Sequence, residues 1–148
     1  MEFKQIKKNF KVVGMKNSGV FADYETEVPK FAQQFLRRAY EIKNSSETEI
    51  ALYEPKRNDN HLEGQYYVGL IVNGTLNEVP TGMEYIETTQ DYVNVRGKIS
   101  DIGKLHKELL KWADEQGFQR DLESYIVETY HQNENYEEKV EIYLPILL

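Results

Sequence analysis

The sequence predicts an α+β fold built from two β-α-β-β units, and three observations lead to it. Strand-forming and helix-forming runs follow the order strand, helix, strand, strand, and that order then recurs. Both helical runs carry apolar residues at three- and four-residue spacing, so each has one face to bury. The strand runs alternate with period two, which gives each strand two distinguishable faces. Two antiparallel half-sheets related by a pseudo-twofold, with a helix on each and a central pocket, satisfy all three. The chain of 148 residues is then expected to be a single domain, 1–148, with halves at about 8–74 and 83–148. The halves share a pattern and little residue identity.

In the first unit, a strand is expected over residues 10–15, with Asn17-Ser18-Gly19 as turn chemistry after it. A helix follows over 28–42, where Val28, Phe31, Ala32, Phe35, Ala39 and Ile42 form the stripe and Pro29 fits a first turn. Strands over 49–54 and 65–73 flank a polar loop, and the stretch 75–89, with Pro80-Thr81-Gly82, is expected to cross between halves. The second unit opens with a strand over 92–97. Ser100 or Asp101 offers a helix N-cap, Ile102, Leu105, Leu109, Trp112 and Ala113 make the stripe, and Gly117 marks the stop. Strands over 123–131 and 139–146 end the chain, joined by the polar Gln132-Asn133-Glu134-Asn135.

Hydrophobic residues make up 40% and charged residues 29%, a globular balance. No apolar run nears the roughly 20 residues of a membrane span. The N-terminus lacks a signal-peptide core and there is no cysteine, so a cytoplasmic location without disulfides is expected, and without membrane binding. A net charge of −7 and a pI near 5.1 argue against direct nucleic-acid binding, which needs clustered Lys and Arg. His61, His106 and His131 stand apart without metal-ligand spacing, and no Gly-rich phosphate loop follows a strand, so neither a metal nor a cofactor is expected.

Sorting the strands by parity puts Ile50, Leu52, Val68, Leu70, Val93, Val95 and Val127 on one aliphatic face, expected under the helices. The other face collects Ala51, Tyr53, Tyr67, Gly69, Tyr92, Arg96, Ile126, Glu128 and Tyr130. Few charges and many tyrosines suggest a partly enclosed surface there. Aromatic walls around one carboxylate suit an organic cation, because ring faces and carboxylate both attract positive charge. Glu128 is the candidate acid, with Tyr53, Tyr67, Tyr92, Tyr130, Trp112 and Phe35 as candidate walls. Two plainer readings stand beside this: a tyrosine stripe is also ordinary sheet packing, and Glu128 has Arg96 as a cross-sheet partner. Trp112 equally suits a core position.

The run Val127-Glu128-Thr129-Tyr130-His131-Gln132-Asn133, followed by Val140-Glu141-Ile142-Tyr143-Leu144-Pro145-Ile146, resembles the closing strands of GyrI-like domains, the effector-binding domains of multidrug-responsive bacterial regulators. Leu109 to Phe118, with Trp112 and Gly117, resembles that family's second helix, and Pro80-Thr81-Gly82-Met83 with Tyr92 resembles the approach to its third strand. The resemblance spans nearly the whole chain. It implies a pocket between the half-sheets in which Glu128 meets hydrophobic, often cationic ligands. Asp121-Leu122-Glu123-Ser124-Tyr125 resembles a variant seen in standalone relatives, which makes Glu123 the alternative acid. No helix-turn-helix fits before Phe10, so the chain reads as a free-standing effector domain. Drug or metabolite sensing or sequestration is the function implied. The alternatives are a small hydrolase acting on reactive electrophiles with Glu128 as catalytic general base, or a regulator of gyrase type with a protein partner.

Overall fold

The computed structural model describes residues 2–132 and 137–148. Its elements are β1 (Lys4–Val20), α1 (Tyr24–Leu36), β2 (Ser45–Tyr53), β3 (Glu63–Val72), β4 (Glu84–Lys98), α2 (Ile102–Glu115), β5 (Gln119–Arg120), β6 (Ile126–Gln132) and β7 (Glu138–Leu147). This is an α+β fold of two helices and one antiparallel seven-stranded sheet in the order β4-β1-β3-β2-β6-β7-β5. Asn133, Glu134 and Asn135, expected in a connection, lie outside the described residues.

The expected half-sheets are continuous. β4 also pairs with β7, from Tyr92 opposite Pro145 to Lys98 opposite Lys139, so the sheet closes on itself. Closure gives it an inner and an outer face. Both helices lie on the outer one. The stripe of α1, with Val28 and Phe35, packs on Val13, Tyr66, Val68 and Leu70; Leu105, Leu109 and Ala113 of α2 pack on Val93, Val95, Ile142 and Leu144. Among the described residues no helix covers the inner face, yet Phe10, Val12, Leu52, Tyr67, Tyr92, Val127 and Tyr143 are buried there against one another.

This corrects the parity sorting. Ala51 stands opposite Glu128 and Val68, and Glu128 opposite Ile142. Glu128 therefore shares the helix-covered face with the aliphatic residues, while Leu52 and Val127 join Tyr67 and Tyr92 inside. Both faces of a closed sheet are buried, so alternation separates inside from outside without saying which is which.

Element ends also differ. β1 runs through Asn17-Ser18-Gly19 because β3 supplies partners, Gly19 opposite Gly64, and the Asn17 amide donates to the Tyr66 hydroxyl at 3.2 Å. The supposed crossing holds the first half of β4, whose Tyr85, Ile86, Thr88 and Thr89 are good strand formers paired with β1. α1 begins at Tyr24, which puts Pro29 in the second turn, where it cannot donate to the Glu25 carbonyl. α2 starts and stops at the expected residues: Asp101 holds the N-cap position without a side-chain cap hydrogen bond, and Gly117 takes φ +79°.

One close approach holds β1 and β3 together on the wall of the closed sheet. Gly14 faces Gly69, and a Cβ on either would come within 2.6 Å of a backbone carbonyl, that of Val68 or Val13. Backbone cannot yield as a flexible side chain does. Gly14→Ala and Gly69→Ala should each cost about 1–3 kcal/mol in a urea unfolding series. Wild-type midpoints in both would show that the strands can separate without penalty.

Candidate functional site

A cavity of about 570 Å³ opens between α1 and the start of α2 on the outer face of the sheet. Ala51 and Val68 form its floor, α1 contributes Val28 and Phe35, and Ile99 and Ile102 close the opposite side. Tyr53, Glu128 and Tyr130 line it together. The sheet register brings them there: β2 and β6 place Ala51 beside Glu128, and alternation sets Tyr53 and Tyr130 on the same face, two pairs to either side.

Glu128 is 6% exposed. A carboxylate this far from water needs hydrogen bonds or a counter-charge, and Glu128 has three close polar partners. Oε1 accepts from the Tyr130 hydroxyl at 2.5 Å and from the Tyr53 hydroxyl at 3.2 Å, and Oε2 lies 2.6 Å from His106 Nε2. The two phenols also touch at 3.2 Å. Burial pushes both hydroxyls well above the ordinary phenol range; the charge of Glu128 adds to this for Tyr53, and Tyr53 and Glu128 add to it for Tyr130. Both therefore keep their protons at neutral pH and remain donors.

The other candidates scatter. Tyr67 lies on the inner face and donates to Glu84 at 3.2 Å. Tyr92 is fully buried inside against Phe10 and Tyr143. Trp112 stacks on Phe3 with centroids 5.7 Å apart, outside the cavity lining. Phe35 does reach the lining. Arg96 pairs with Glu141 at 3.0 Å, not with Glu128. Glu123, the alternative acid, is 82% exposed and sits 3.4 Å from Arg57, away from the cavity.

Sequence reasoning missed His106, although the signal was present. Positions 102, 106, 109 and 113 fall on one helical stripe, and a histidine among Ile, Leu and Ala there faces the sheet. It also missed Tyr24, whose ring lies 5.8 Å from that of Tyr53 at the cavity wall. Among the described residues, no group of three His, Asp or Glu side chains is placed to hold a metal ion.

A model of the family described as integron-associated effector binding protein matches residues 5–146. No curated protein matches. Among solved structures, SAV2435 bound to tetraphenylphosphonium is similar with a TM-score of 0.74 at 12% identity, covering 99% of this chain and 94% of that one. The EcmrR C-terminal domain is similar with a TM-score of 0.64 at 15% identity, covering 99% of each chain. A hydrolase from Listeria innocua is similar with a TM-score of 0.62 at 12% identity, covering 99% of this chain and 92% of that one. At such identities these likenesses are of fold.

The tyrosines give a pH prediction. A phenol whose pKa is raised by folding contributes stability that is present below its unfolded pKa, about 10, and is lost as pH rises through the folded value. Tyr24, Tyr67 and Tyr92 are pushed up to about 12, mainly by burial. At about pH 11, where a free phenol is almost fully ionised, tyrosinate absorbance should still be incomplete with circular dichroism native, and it should finish with unfolding at higher pH. Near-complete ionisation at about pH 11 in a native spectrum would contradict this environment.

Proposed function

This chain belongs to the integron-associated effector binding protein family, and on that premise we propose that its pocket binds small hydrophobic cations, with Glu128 as the counter-charge. The observation that carries the reading is a nearly buried carboxylate at the wall of an aromatic and aliphatic cavity. A cation entering there meets apolar surface for its body, and the ring faces of Tyr24 and Tyr53 and the Glu128 carboxylate for its charge. The likeness to a structure holding tetraphenylphosphonium, a bulky apolar cation, supports the same ligand type. Sensing or sequestration of drugs or metabolites is the corresponding biological role.

Occupancy of the carboxylate weighs binding against hydrolysis. A carboxylate has about four lone-pair positions. Three of those on Glu128 face Tyr53, Tyr130 and His106. A general base needs a free lone pair aimed at the proton it removes, whereas a counter-ion works through its charge while its hydrogen bonds persist. Held by three partners, the carboxylate suits a fixed charge, and the remaining lone-pair position is the one a base would use.

Isothermal titration with tetraphenylphosphonium checks this. The wild type should bind, and Glu128→Gln, which keeps shape and removes charge, should weaken binding by at least about tenfold. Equal affinity in the two proteins would remove Glu128 from the role of counter-charge.

A further inference from the structure

Three further carboxylates line the same cavity: Glu25 on α1, Glu49 on β2 and Glu138 on β7. Among the described residues no lysine or arginine lines it, and none of the three acids has an ion-pair partner. The strand register spaces them. Glu49 stands opposite Tyr130, two pairs beyond Ala51 and Glu128, and Glu138 stands opposite Gln132, two pairs further again. At a rise of about 3.4 Å per residue, Glu49 lies about 7 Å and Glu138 about 14 Å along the sheet from Glu128. Glu49 is held above the usual carboxylate range, first by burial and then by the charge of Glu138, so the two acids lie within electrostatic reach of each other.

We propose that the pocket selects elongated dications, seating one positive centre at Glu128 and the other between Glu49 and Glu138, with an apolar or aromatic body spanning the cavity between them. This rests on the cation reading above. A single positive centre at Glu128 leaves the repulsion between half-buried Glu49 and exposed Glu138 in place. A second centre carried on the same molecule relieves that repulsion without a second loss of translational freedom. Protons compete for the same place: Glu49 is neutralised more readily than an ordinary glutamate, so the advantage of the second charge should grow as pH rises from the carboxylate range towards neutrality.

The test compares pentamidine, which carries two benzamidinium ends, with 4-pentyloxybenzamidine, which carries one, by isothermal titration of the unmodified protein, with tetraphenylphosphonium as reference. Pentamidine should bind about tenfold or more tighter than the single amidine. That ratio should shrink at pH 5 and in the Glu49→Gln/Glu138→Gln double variant, whose isosteric changes leave side-chain length intact. If tetraphenylphosphonium binds while the two amidines bind equally, or the preference survives in the double variant, the dication inference is overturned and the cation reading stands. If none of the three binds, both fall. Should the double variant not fold, the pH arm decides: a wild-type ratio unchanged at pH 5 overturns the inference, because both amidines keep their rings and charges there while Glu49 is neutralised.

Discussion

The buried carboxylate of Glu128 sets the demands that the rest of the structure meets. Removing a carboxylate from water costs several kcal/mol unless donors replace the water. Here those partners come from three elements: Tyr53 from β2, Tyr130 from β6 beside Glu128 itself, and His106 from α2. The register of β2 on β6 and the docking of α2 must both be right for the charge to be tolerated. A slip of one residue would turn Glu128 to the inner face, away from Tyr53, Tyr130 and His106.

Closure of the sheet makes this site available. Because β4 pairs with both β1 and β7, the inner face forms an aromatic core without help from a helix, and both helices are free to sit outside. They cover different parts of the outer face, α1 over β1 and β3, α2 over β4 and β7. The gap left between them falls over β2 and β6, and the cavity is that gap. The family membership and the fold likenesses, an effector-binding assignment among them, concern this same architecture.

Much of this was legible in the residues, and most of what was not depends on contacts between strands. The helix from Ile102 was readable because cap, stripe and stop agree locally. The oddity of Glu128 in an apolar strand was readable too, together with Tyr53 and Tyr130 on its face. Tyr67 and Tyr92 were assigned to the same face because parity relates residues within a strand and not between strands; only the cross-strand register, set by closure, shows them inside. The clustering of Glu49 and Glu138 with Glu128 was hidden for the same reason, since they lie on three different strands. Asn17-Ser18-Gly19 shows the tertiary override of local chemistry: turn formers become strand when a partner strand satisfies them.

The most direct test of the central claim is a crystal structure of the protein with tetraphenylphosphonium. The phosphonium should sit in the cavity between α1 and α2, facing Glu128, with the Tyr53 and Tyr130 hydroxyls still bonded to the carboxylate. A cation bound elsewhere on the molecule, with the cavity empty and the Glu128 network unchanged, would contradict the assignment of this carboxylate as the ligand's counter-charge.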